Sequence, residues 1–264
     1  MKVTVKRELL LWARNRADLT VDALASRLHV SADRVTEWEA SGELTLKQLE
    51  KLAKASYTPV GYLFLNEPPT ESLPIPDLRT VGNRQLARPS PNLLDVIHIC
   101  QQRQSWYRDF LRADGARPSE FVGSARVGDD VVRTAQAIRE KLHFDIEARR
   151  EASTWGDALR MFIDQTDAAG VLVMCSGVVG NNNRRKLDPE EFRGFAMTDP
   201  LAPLVFINGA DSKAAQMFTL AHELAHIWAG ESALSDVDAR SRPAHRTEQW
   251  CNQVAAEMLV PMAM

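Results

Sequence analysis

His222-Glu223-Leu224-Ala225-His226 sets two imidazoles four residues apart, with a carboxylate beside the first. At about 100° per residue, helical positions four apart share a face. Both rings can therefore offer a nitrogen to one ion, while Glu223 stands next to it as a base for a water molecule. The chemistry that fits is hydrolysis: Zn2+ would lower the pKa of that water toward neutrality, and Glu223 would take its proton as hydroxide attacks a peptide carbonyl. Met217-Phe218-Thr219-Leu220-Ala221 before the motif and Ile227-Trp228 after it are largely apolar, so the helix should be buried. Two histidines and a glutamate are costly in such a place without a cation to bind them.

An ion held this way needs a third protein ligand. The pattern in which a Gly and a third His follow closely is excluded, because Ala229 and Ser232 stand at those positions. Two glutamates, Glu248 and Glu257, occur on the last apolar segment, nine residues apart. That spacing is half a turn in net rotation, so they cannot both face the ion. Cys251, Ala255, Met258 and Leu259 define the apolar face; Glu248 and Asn252 lie at its edge and Glu257 points away. Glu248 is the expected ligand, Asn252 its hydrogen-bonding support, and Glu257 a solvated surface carboxylate. His245, at the start of the segment, reads as a surface residue rather than an oxyanion donor.

The elements that must position these groups can be read from periodicity. Residues 170–175, 192–197 and 204–207 are strands, with Asn181-Asn182-Asn183 as a turn or loop, so a small sheet leads into the motif helix. Upstream, helices are expected over 92–111 (Leu94, Ile97, Cys100, Trp106, Phe110), 129–142 and 148–168. Lys6 to Leu65 is a run of short amphipathic helices, one entered through Ser31 as N-cap, one following Thr45, and one opened by Pro59. Pro68, Pro69, Pro74, Pro76, Pro89 and Pro91 mark a linker between the two regions.

With 264 residues and 45% hydrophobic content, the chain can build two modest cores or one large one. A net charge of −3 excludes coating nucleic acid by bulk electrostatics, so any DNA contact must be local. There is no long uncharged apolar run and no apolar block behind Met1-Lys2-Val3-Thr4-Val5-Lys6-Arg7-Glu8. Membrane spanning and secretion are therefore not expected, and the cytoplasm is the expected location. Cys100, Cys175 and Cys251 are far apart with no CxxC pair, which suggests neither a disulfide framework nor a thiolate zinc site.

Phe218-Thr219-Leu220-Ala221-His222-Glu223-Leu224-Ala225-His226, followed by Glu248-Gln249-Trp250-Cys251-Asn252-Gln253-Val254-Ala255-Ala256-Glu257-Met258-Leu259-Val260-Pro261, resembles the ImmA/IrrE family of metallo-endopeptidases. The resemblance covers roughly residues 154–261, and the strands carrying Gly194 and Ile207-Asn208 fit the sheet expected before the motif helix. It implies a zincin-like domain over 154–264, with His222, His226 and Glu248 as Zn2+ ligands and Glu223 as general base. It further implies a regulatory protease, since characterised relatives cleave helix-turn-helix repressors. Cys251 stands where Ala is usual. Fused relatives continue for several helices past the point matching Met264, and a missing part would leave the cleft open, altered or inactive.

Leu24-Ala25-x-x-Leu28-x-Val30-Ser31-x-x-x-Val35-x-x-Trp38-Glu39, then Leu49-x-x-Leu52-Ala53, resembles the Cro/repressor (XRE) class of helix-turn-helix domain. The resemblance implies double-stranded DNA as a partner, with Ser31, Arg34 and Thr36 as candidate contacts. Charge lends it little: ten Lys/Arg face eight acids over residues 1–66, and Asp33, Glu37 and Glu39 share the would-be recognition helix. A protein-docking role, including a homodimer, fits equally well. Trp38 is expected in the core.

The expected fold class is α+β: an all-α helix-turn-helix domain over 1–66, a Pro-rich linker over 67–91, a helical connector over 92–153 and the zincin-like domain with its small β-sheet. Two functions suit these residues. One is a zinc endopeptidase cutting a repressor or partner protein; the other is a non-catalytic transcriptional repressor or antitoxin-like regulator that grips its partner. The intact set His222, Glu223, His226 and Glu248 favours the first.

Overall fold

A computed structural model of the chain describes residues 1–71, 73–76, 89–144, 147, 152–235 and 246–261. The chain divides into two compact units, Met1–Ser72 with Pro89–Pro91, and Leu73–Arg88 with Asn92–Met264. No helix among the described residues is long and apolar enough to cross a membrane.

In the first unit β1 (Lys2–Thr4) precedes α1 (Arg7–Arg16), α2 (Val21–Leu28) and α3 (Ala32–Ser41); β2 (Glu43–Thr45), α4 (Leu46–Ala55) and a 3-10 turn (Val60–Phe64) follow. Side chains of Thr20, Ser31 and Thr45 accept the N–H groups of Ala23, Arg34 and Gln48, satisfying amides that the first helical turns leave free. Leu9, Leu10, Leu24, Val35, Trp38, Leu49 and Leu52 form one core. The all-α expectation is corrected by β1 pairing antiparallel with β2, Val3 opposite Leu44. Three-residue strands leave no readable period; their partner is set by α3 ending at Gly42, where a Cβ would run into the Val5 carbonyl. Glu39 also departs from expectation: it turns inward and takes a two-pronged hydrogen bond from Arg14, at 2.6 and 3.2 Å.

The second unit is built on a mixed sheet in the order β3-β7-β6-β8, with β3 (Leu172–Ser176), β6 (Gly194–Met197), β7 (Leu204–Asn208) and β8 (Ala233–Ser235). β3 runs parallel to β7; the other neighbours are antiparallel. Strand alternation splits the sheet's side chains between two cores. Phe195, Met197, Leu204 and Phe206 pack with Val96, Ile97 and Cys100 of α5 (Pro91–Ala113). Ala196, Val205 and Ile207 pack on the other face with the motif helix. Burial on both faces is why the strands read as unbroken apolar runs.

α6 (Val131–Leu142) and α7 (Trp155–Ala168) complete the frame; α7 starts at its N-cap Thr154, and residues 148–151 of the expected helix lie outside the described residues. The expected loop at Asn181-Asn182-Asn183 is corrected in part. Asn182 opens β5 (Asn182–Lys186), which pairs antiparallel with β4 (Val178–Val179), the turn falling at residues 180–181.

Candidate metal centre

The motif helix, α8 (Lys213–Ala229), has almost no exposed face: every residue from Gln216 to Trp228 except Phe218 is buried. Its start is tied to the end of β7 by two fully buried amides. Asn208 donates to the Phe192 carbonyl and accepts from Ala210 N–H, while Gln216 donates to the carbonyls of Gly209 and Asp211. Sequence reasoning gave neither residue this role; the available signal was an amide inside an apolar strand and another in the first turn of an apolar helix. At the far end, the Ile227 carbonyl accepts from both the cap residue Gly230 and Gly123, and the Trp228 carbonyl accepts from Ala125 N–H.

α9 (Arg246–Leu259) crosses α8 and carries Glu248 to the two imidazoles. His222, Glu223 and His226 are fully buried and Glu248 is 3% exposed. The two Nε2 atoms lie 3.1 Å apart, His226 Nε2 is 3.1 Å from Glu248 Oε1, and His222 Nε2 is 3.2 Å from Glu248 Oε2. Ligand atoms about 2.0–2.1 Å from a tetrahedral zinc ion stand about 3.3–3.4 Å apart, so the observed spacings are close to those of a ligand set around one cation. The three side chains form a candidate metal cluster, their ligand atoms all within 4.8 Å of one another.

The electrostatics agree with the geometry. Burial, the largest influence, pulls His222 below its ordinary value even though Glu248 and Asn252 favour its charged form. Burial would raise Glu248, but the hydrogen bonds and charges of both rings together hold it well below the usual carboxylate range. A neutral imidazole beside an ionised carboxylate is the ligand set a divalent cation requires. Without a proton or a cation between them, lone pairs would face one another at 3.1–3.2 Å.

Glu223 adjoins the sheet at Gly194, where an added Cβ would sit 3.2 Å from Glu223 Oε1. Asn252 is half-buried beside His222. Glu257 is corrected: it is 8% exposed rather than solvated, and its carbonyl accepts from Arg139 Nη1 at 2.8 Å. It does point away from the imidazoles, but α6 covers that side of α9, so facing away from the site is not facing water. His245 lies outside the described residues.

Ser31, Arg34 and Thr36 are exposed on and before α3. Each is already engaged locally: Ser31 Oγ accepts from Arg34 N–H, Arg34 Nη1 donates to Glu37 Oε2 at 2.6 Å, and Thr36 Oγ1 donates to the Ala32 carbonyl. Trp38 is buried, 2% exposed.

Residues 166–264 match the sequence model of a peptidase family described as the IrrE N-terminal-like domain. The match covers less than half of the chain, but it includes the strands from β3 onward, α8 and α9, and with them His222, Glu223, His226 and Glu248. Searches of curated proteins and of solved structures returned no significant match. The chain thus carries a metallopeptidase-like domain with a candidate metal site.

Proposed function

We propose that this chain is a zinc-dependent endopeptidase with a regulatory role, acting on a repressor or another partner protein. The observation that carries the reading is the buried convergence of two imidazole Nε2 atoms and the Glu248 carboxylate, with Glu223 adjacent in the sequence. When bound, Zn2+ would supply Lewis-acid polarisation of the scissile carbonyl and acidify a water. His222 and His226 would hold the ion from successive turns of α8, and Glu248 would close the set from α9. Glu223 takes the proton of the attacking water on a carboxylate oxygen and returns it to the departing amine. Burial of the whole constellation limits the water that could compete for these groups.

The first unit we read as a helix-turn-helix module that recruits the peptidase to DNA or to its substrate. The capped α2–turn–α3 arrangement and the exposure of Ser31, Arg34 and Thr36 support this. So does the inward turn of Glu39 to Arg14, which removes one acidic charge from the surface a phosphate would meet.

The test is metal analysis of the purified chain, then incubation with a partner recovered by pull-down, with and without chelator. One zinc per chain and chelator-sensitive cleavage are expected, and Glu223→Gln should keep the metal and lose the cleavage. Undiminished proteolysis by that variant would remove Glu223 from the mechanism. For the first unit, Arg34→Ala should weaken a mobility shift of operator DNA, and an unchanged shift counts against α3 as the reading element.

A further inference from the structure

The outer edge of the sheet, away from Glu223, carries a second feature. Among the described residues β3 is a terminal strand of its sheet, paired with β7 alone. Leu172 N–H donates to the Pro203 carbonyl and the Ser176 carbonyl accepts from Gly209 N–H, so residues 172, 174 and 176 turn their backbone groups inward. By strand alternation Val173 and Cys175 turn theirs outward. Asp167 Oδ1 accepts the Val173 N–H at 3.0 Å. The Val173 carbonyl and both backbone groups of Cys175 are left without a backbone partner among the described residues.

Beside this edge runs a cavity of about 260 Å³, floored by Val96, Ile99, Cys100, Met174 and Phe206, with Arg103 at its side. Arg103 is exposed, and its guanidinium donates to the Met174 sulfur at 3.7 Å. Among the described residues no carboxylate lies within ion-pair reach of it.

We propose that this edge and cavity form a docking site for an extended segment of a partner protein, added antiparallel to β3. A backbone strand is the chemistry that meets three outward peptide groups in a row, and a pocket alongside selects alternate side chains. One residue of the incoming strand exchanges both hydrogen bonds with Cys175, and the residue two further on donates to the Val173 carbonyl. The residue between them projects to the Met174 face, into the apolar cavity. The next residue on that face meets Arg103, so the segment carries an apolar side chain flanked at two positions' distance by a carboxylate. A second copy of this chain fits less well, because two-fold pairing of β3 with itself would bring two unneutralised Arg103 guanidiniums to one seam.

The probe is the capped peptide acetyl-Thr-Asp-Thr-Leu-Thr-Asp-Thr-amide, titrated into the isotope-labelled full chain and followed by amide NMR and hydrogen exchange. Binding should shift the amides of residues 173–176 and slow exchange at Cys175. N-methylation of the Thr before Leu should weaken binding by up to about tenfold, the scale of one lost hydrogen bond. Arg103→Glu, an exposed change that spares the fold, should weaken the Asp peptide and favour its Lys counterpart. Unmoved β3 amides at millimolar peptide, indifference to N-methylation, or self-association of the chain through β3 would each overturn the proposal. Binding is read with or without metal, so failure here leaves the proposed hydrolysis standing.

Discussion

Gly194→Ala tests the seat of Glu223 directly. The added methyl would lie 2.5 Å from Thr219 Cγ2, 2.8 Å from the Phe206 carbonyl oxygen and 3.2 Å from Glu223 Oε1. Carbon–carbon contacts settle near 3.5–4.0 Å, so β6 and α8 would have to separate by about 1 Å. Neither side yields readily: Thr219 is 1% exposed, and the Phe206 oxygen belongs to a strand paired on both edges. Overpacking of this kind costs about 1–3 kcal/mol, and with two hard contacts the upper end is expected, about 3 kcal/mol. At about 2–4 °C per kcal/mol for a domain of this size, the melting midpoint of the second unit should fall by about 6–12 °C. Affinity for a divalent cation at the candidate site, titrated with Zn2+, should drop as well, because α8 carries both histidines away with Glu223.

Thr219→Ser, which deletes the closer obstacle, is the internal control. Alone it should cost about 1 kcal/mol for a lost buried methyl. Combined with Gly194→Ala it should be less damaging than the two added together, by about 1 kcal/mol. Urea titration of the four proteins gives the cycle. A neutral Gly194→Ala, or strict additivity with Thr219→Ser, would show that the sheet does not rest on the helix at this point.

Two further outcomes are expected. Burial would raise the Asp199 carboxyl, but the amides of Leu201 and Ala202 and the Arg108 guanidinium outweigh it and hold the group below its ordinary 3.8. That contribution is present above pH 3.8 and is lost as pH falls through the lower folded value, so Asp199→Asn should destabilise by about 1–2 kcal/mol at pH 7 and flatten the acid limb of the stability curve, read by urea titration across pH. Burial pushes the Cys100 thiol up to about 12 and Cys251 well above its ordinary value; it raises Cys175 too, but Cys175 alone of the three is exposed to reagent. Iodoacetamide at pH 8 should therefore modify Cys175 first in the native protein and all three thiols only in denaturant, counted by mass spectrometry.

The candidate metal cluster could be read from the chain because its geometry is local. His222 and His226 share a helical face wherever that helix lies, and the phase of α9 separates Glu248 from Glu257 without knowledge of its neighbours. The same holds for the caps Ser31 and Thr45 and for the apolar runs of β3, β6 and β7, whose signals reach only a few residues along the backbone.

Tertiary structure decided the rest, because burial and pairing depend on what arrives from elsewhere in the chain. Glu257 leaves solvent only because α6, more than a hundred residues earlier, lies across it. Glu39 faces inward because Arg14 waits there, and β1, β2 and β8 are strands by virtue of partners rather than their own three residues. Gly194 owes its importance to the approach of α8. A residue's type and spacing state what chemistry it can do, but which groups come within 3 Å of it is settled by non-local packing, which one stretch of sequence does not encode.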